Sequence, residues 1–144
     1  MIKPTWIAAD WGTSNLRVWA MDADDHVLST NRSDEGMSGL SPSEFESALL
    51  GLIKPWLSDS TDVFACGMVG ARQGWVEAPY AEVPCAPPQD RMVRAQVDTG
   101  GLRVWVIPGV KQTRKPDVMR GEETQISGFL TRHKDWAGVL CMPG

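Results

Sequence analysis

No stretch of the chain approaches the ~18 consecutive apolar residues that a membrane-spanning helix requires. The N-terminus enters a strand-like run at once, without the basic, apolar and small-residue order of a signal peptide, so a cytoplasmic protein is expected. Cysteine is scarce: Cys66, Cys85 and Cys141 are odd in number and widely spaced, which excludes a disulfide framework and a zinc pattern. Cys66 and Cys141 each sit in an apolar run, where a buried thiol is expected. The two histidines, His26 and His133, lack metal-ligand spacing. Basic residues are outnumbered, 14 Lys and Arg against 18 Asp and Glu, for a net charge of −4. Nucleic-acid binding, which rests on clustered cations, is therefore not expected. The short basic group Lys111, Arg114 and Lys115 reads as a solvated loop. A P-loop of the form G-x-x-x-x-G-K is absent, and so are repeats and low-complexity tracts.

What remains is the composition of an ordinary folded domain. The 144 residues, 42% hydrophobic and 22% charged, suffice for one domain with a core and are too few for two large ones. Trp6 to Ala9 is a continuous apolar run, as expected of a strand buried on both faces. Leu16 to Met21 sets Leu16, Val18 and Ala20 against Arg17, Trp19 and Met21, one face for the core and one free to meet a ligand. The turn residues "DADD" then lead into a third strand, His26 to Arg32, so the opening is an antiparallel meander.

A helix follows. Ser41-Pro42-Ser43-Glu44 supplies an N-cap serine, a first-turn proline and a reciprocal capping glutamate. Phe45, Ala48, Leu49, Leu52, Ile53 and Trp56 then share one face, and Pro55 should end the helix. Val63 to Cys66 and Leu102 to Ile107 read as strands, and Gly67 to Thr99 between them as a long irregular stretch. A second helix starts near Glu122, with Ile126, Phe129, Leu130 and His133 at helical spacing. Val139 to Met142 reads as a last strand before Pro143-Gly144. The alternation of strand and helix predicts an α/β domain with a mixed sheet.

Three segments carry polar groups suited to chemistry. In "DWGTSNLR", Gly12 permits a close backbone approach or a positive φ. Thr13 and Ser14 add hydroxyls and free N–H groups for an anion. Asp10 is suited to a hydrated Mg²⁺, and Arg17 to the charge of a transferred phosphoryl group. A plain tight hairpin is the equal alternative. In "CGMVGARQGW" the glycines are wrongly spaced for a dinucleotide fingerprint; Arg72, Gln73 and Trp75 fit a substrate loop, or an ordinary surface loop. In "DVMRGEETQISGF", Glu122 and Glu123 either complement the helix dipole or supply a general base.

Taken in order, these segments resemble the sugar kinases of the actin, hexokinase and Hsp70 superfamily, whose first phosphate motif has the form D-x-G-T-[ST], here Asp10, Gly12, Thr13 and Ser14. "AADWGTSNLRVW", "GMVGARQGWVEAPY", "PGV" with "DVMRGEETQ", and "LCMPG" are similar to one family, the 2-dehydro-3-deoxygalactonokinases. The resemblance implies a ribonuclease-H-like (actin-like ATPase) domain with a mixed five-stranded sheet flanked by helices. It also implies ATP- and Mg²⁺-dependent phosphorylation of the 6-hydroxyl of the sugar acid 2-dehydro-3-deoxy-D-galactonate, within galactonate breakdown.

On that resemblance Asp10 serves the metal, and Gly12, Thr13, Ser14 and Arg17 serve the ATP phosphates. "Gly121-Glu122" is similar to the pair that supplies the base in related kinases, with Glu123 in reserve. Charge alone suits Arg72 to a substrate carboxylate. The family runs to about twice this length, a two-domain size, and its "CMPG" leads into a second phosphate loop. The expectation is thus an N-terminal domain, residues 1–144, inactive by itself, whose partner is the family's C-terminal domain; a homo-oligomer stays open. A non-catalytic remnant that binds a sugar acid or a partner subunit is the alternative. A nuclease of the same fold ranks last, because it needs several carboxylates converging on two metals.

Overall fold

The computed structural model describes residues 2–143; Gly144, which follows the last expected strand and Pro143, lies outside them. Three strands form the meander: β1 (Trp6–Trp11), β2 (Leu16–Met21) and β3 (Val27–Ser33), paired antiparallel in sequence order. Helix α1 (Phe45–Ile53) crosses to β4 (Thr61–Cys66), which pairs parallel to β1. The short strands β5 (Ala81–Glu82) and β6 (Val93–Ala95) interrupt the stretch before β7 (Leu102–Val106), which is parallel to β4. After it come β8 (Val110–Gln112), β9 (Asp117–Met119) and helix α2 (Glu122–Arg132).

The result is an α/β fold with a mixed sheet of order β3-β2-β1-β4-β7-β6 and a smaller sheet β5-β8-β9. The main sheet has six strands rather than the expected five, because Val93–Ala95 adds antiparallel to β7. Three residues inside a Pro-rich stretch are too short a run for alternation to reveal. The expected strand Val139 to Met142 is likewise absent: these residues join no ladder, and Val139 is 91% exposed. Apolar content permits a strand, but a ladder partner makes one.

The core lies on one face of the sheet. Ile7, Ala9 and Trp11 of β1, Leu16 and Val18 of β2, Val63 and Ala65 of β4, and Val104 and Val106 of β7 bury against Phe45, Ala48, Leu49 and Ile53 of α1. Each fully buried Leu, Ile or Phe contributes about 1.5–3 kcal/mol relative to leaving it in water. The opposite face is not sealed. Trp6, Ala8 and Asp10 are only partly buried, so β1 is not a strand buried on both faces. The apolar run had hidden the pleat's period of two.

Helix α1 begins later than the capping signal predicts. Ser41 N and Oγ both donate to the Glu44 carboxylate, at 2.7 Å each, while the Glu44 N–H meets the Ser41 carbonyl. Those contacts close a turn over Ser41–Glu44, and the helix follows from Phe45. Pro55 ends it in a tightened turn, Lys54–Trp56, that still buries Trp56.

Candidate active site

Strand register assembles the first part of the site. Across the sheet, Arg32 of β3 stands opposite Arg17 of β2, Arg17 opposite Asp10 of β1, and Asp10 opposite Cys66 of β4. Directly opposed residues project to one face. This polar row crosses the half-open face at the C-terminal ends of the parallel strands β1 and β4, where open α/β sheets receive ligands. Arg17 and Asp10 form an ion pair, with 56% and 23% of their side chains exposed.

Beyond Asp10 the chain turns through Gly12, Thr13, Ser14 and Asn15, closed by Gly12 N–H donating to Asn15 O at 2.9 Å. The turn rests on a segment that sequence reading missed. Met37 N–H donates to Gly12 O (2.9 Å), Ser38 N–H to Thr13 O (3.0 Å) and Ser38 Oγ–H to Thr13 O (2.8 Å). Gly36 makes this approach possible, since a Cβ there would fall 2.2 Å from the Ser14 carbonyl carbon. "EGMSG" carries no signal of this role, because its partner lies more than twenty residues away. With the Gly12 and Thr13 carbonyls occupied from behind, Thr13 and Ser14 stay exposed on a hollow of about 490 Å³ that Asp10, Arg17 and Arg32 also line. Gly12 has no positive φ; a Cβ there would meet only Asn15 O, at 3.8 Å, so within the chain only the hollow gains from its small size.

The second part comes from the start of α2. Gly121 holds φ at 114°, a region that side-chain-bearing residues rarely adopt, and lies against the backbone of Gly67 after β4. That glycine contact brings α2 to the Asp10 end of β1. Glu122 Oε2 accepts from Arg120 N–H at 2.9 Å, and Glu123 Oε2 from Gly121 N–H at 2.8 Å. Glu122 then lines a hollow of about 360 Å³ together with Asp10, Arg17, Arg120 and Gln125. Glu123 is 5% exposed, and its Oε1 has no hydrogen-bond partner. Burial pushes its carboxyl above the usual range and Glu122 adds to this, against the pull of Gly121 N–H and Arg120.

Arg120, a second residue that sequence reading passed over, ties this helix start to the loop after β4. Its Nη2 donates to Ala78 O at 3.0 Å and its guanidinium lies 4.2 Å from the Tyr80 ring centroid. Gly70 leaves the space that Nη1 fills, while Nε and Nη1 are buried without hydrogen-bond partners.

The expected substrate loop divides. Arg72 is 83% exposed beside Glu77, at 3.9 Å, and Gln73 is exposed; neither lines the hollows at Asp10. Trp75 turns inward, partly buried, stacked on Phe45 at 6.0 Å and edge-on to Trp11 at 5.9 Å, so it packs against the core and does not line the hollows at Asp10. A large aromatic ring gains more from burial than from an exposed loop. Cys66 is partly buried, with its thiol pushed up to about 12 by burial first and then by Asp10 and Glu123. Cys141, expected to be buried, is exposed, because the strand that would have buried it does not form.

Asp22, Asp24 and His26 bring ligand atoms within 4.8 Å of one another, but on an exposed turn in which Asp22 Oδ1 accepts from the N–H groups of residues 24 and 26. No helix of the described residues is long and apolar enough to cross a membrane.

Fold and site together define an α/β domain with a hydroxyl-rich turn, an opposed carboxylate–guanidinium pair and a glutamate-bearing helix start at one edge of its sheet. The chain belongs to the 2-keto-3-deoxy-galactonokinase family, whose model matches residues 10–144. It is 37% identical over 142 residues to a protein of Rhizobium meliloti named "Probable 2-dehydro-3-deoxygalactonokinase", and 37% identical over 141 residues to the 2-dehydro-3-deoxygalactonokinase of Escherichia coli. Each alignment covers 96% of this chain and 46% of the relative, so the chain spans just under half their length. A crystal structure of a Sinorhizobium meliloti protein, assigned as a 2-dehydro-3-deoxygalactonokinase, superimposes with a TM-score of 0.79 at 38% identity. The match covers 88% of this chain and 43% of that one.

Proposed function

We propose that this chain forms one wall of the cleft of an ATP-dependent sugar-acid kinase that phosphorylates the 6-hydroxyl of 2-dehydro-3-deoxy-D-galactonate. The observation that carries the reading is the convergence of the Asp10–Arg17 pair, the Thr13-Ser14 turn and Glu122 at one sheet edge. Strand order β3-β2-β1-β4-β7, antiparallel then parallel, supports the ribonuclease-H-like assignment, with β6 as an added edge.

The chemistry follows from the placement of the groups. N–H and hydroxyl groups of Thr13 and Ser14 donate to phosphate oxygens, and Gly12 keeps the floor of the hollow low. Arg17 answers the charge gathering on the transferred group. Glu122 Oε2 is occupied by Arg120 N–H, which leaves Oε1 to take the proton of the 6-hydroxyl. The hydroxyl oxygen bonds to the terminal phosphorus as the bond from phosphorus to ADP breaks, and the proton stays on Glu122. Glu123, sealed behind it, is the less suited of the two. Asp10 fits a hydrated Mg²⁺, because it is partly exposed on the phosphate hollow and Mg²⁺ keeps several waters, so one carboxylate suffices. Bound there, Mg²⁺ would shield the phosphate charge. Arg72 has no part in this reading.

Glu122→Gln, in the chain joined to the family's second half, tests the base. Turnover should fall by about 10²-fold or more with the KM for sugar acid little changed. Turnover near that of the unsubstituted enzyme would remove Glu122 from the role. Calorimetry with Mg·ATP and with the sugar acid, run separately, tests this reading against a non-catalytic remnant: binding of neither ligand would favour the remnant over the kinase wall.

A further inference from the structure

The polar row contains a cation that the kinase reading does not use. Arg32 stands directly opposite Arg17 on the neighbouring strand. Like charges so placed oppose each other unless an anion comes between them. Arg17 has such a partner in Asp10. Arg32 has none: among the described residues no ion pair or hydrogen bond holds its side chain, although Asp34 and Glu35 follow it closely in sequence. Arg32 nevertheless lines the same 490 Å³ hollow as Thr13, Ser14 and Asn15. With Asp10 and Arg17 cancelling, the uncompensated charge of that hollow is the one on Arg32. In a chain of net charge −4, that local cation is what an incoming anion meets.

We propose that Arg32 is a second phosphate-binding cation, receiving oxygens of a polyphosphate tail whose other oxygens meet Thr13 and Ser14. The proposal rests on reading the turn as a phosphate cradle. A planar guanidinium offers two parallel donors to a phosphate, so one well-placed arginine suffices.

The test uses metal-free inorganic tripolyphosphate, titrated calorimetrically into the chain at low salt and again at stepped salt. The unsubstituted chain should bind it. Arg32→Gln should weaken binding about tenfold and flatten its decline with salt, and Arg32→Lys should recover part of the loss. Because Arg32 is exposed on an edge strand, circular dichroism should show both variants folded. Lys111→Gln, outside the hollow, should bind as the unsubstituted chain does. Unchanged affinity in Arg32→Gln, or an equal loss in Lys111→Gln, overturns the proposal. Thr13→Val separates the two levels: if it weakens binding while Arg32→Gln does not, the cradle stands and Arg32 falls. No binding by the unsubstituted chain would overturn both.

Discussion

Glu123 and Cys66 show how burial at this edge changes the chemistry of single groups. An unfolded glutamate titrates near ~4.3, whereas burial raises the Glu123 carboxyl in the fold. Between those values the native chain holds a proton that the unfolded chain has released. The contribution to stability is therefore full below the unfolded pKa and is lost as pH rises through the folded one. Glu123→Gln removes this titration. Urea unfolding between pH 4 and pH 8 should show the unsubstituted chain losing stability against the variant as pH rises; parallel profiles would contradict the assignment. Cys66 is held protonated, with its thiol at about 12, while Cys85 and Cys141 are exposed. Iodoacetamide at pH 8 should alkylate two thiols quickly and the third far more slowly, as mass spectrometry of the peptides would show. Fast labelling of Cys66 would mean that this edge of the sheet opens.

At the scale of elements, the loop after β4 behaves as part of the core. Trp75 closes it onto α1 and β1 through Phe45 and Trp11, while Arg120 and Tyr80 tie it to the start of α2. Trp75→Ala should thus destabilise the fold by about 3 kcal/mol, read from denaturant midpoints, rather than act first on substrate affinity. Normal stability with weakened sugar-acid binding would restore the substrate-loop role. Elements with long periodic faces were legible in sequence: β2 by its alternation, α1 by Phe45, Ala48, Leu49 and Ile53, and α2 by its start at Glu122. Elements of two or three residues, β5, β6, β8 and β9, were not, because so short a run owes its form to its ladder partner. Val139 to Met142 errs in the opposite sense, apolar but unpaired.

At the scale of the whole molecule, the proposed site would form one side of a cleft. Phosphoryl transfer depends on positioning and charge stabilisation from all around the phosphates. The chain covers 46% of its curated relatives, and its hollows at Asp10 are open to solvent. Purified residues 1–144 should show negligible transfer from ATP to 2-dehydro-3-deoxy-D-galactonate in a coupled assay. Turnover comparable to that of a full-length relative would mean that this wall completes a site of its own.

The sequence by itself determined the family, the α/β class and which segments carry the polar groups. These are local matters, since alternation, helical spacing and a short motif are written in neighbouring residues. Only the tertiary structure decided how the segments meet. Register set Arg32, Arg17 and Asp10 in one row, the Gly67–Gly121 contact brought Glu122 to the end of β1, and Gly36 braced the Thr13-Ser14 turn from behind. It also separated residues the motifs had treated alike, leaving Glu122 on the hollow while sealing Glu123, and leaving Arg72 in solvent while packing Trp75 against the core. Such choices turn on contacts between residues tens of positions apart, where packing and desolvation act and sequence spacing carries no information.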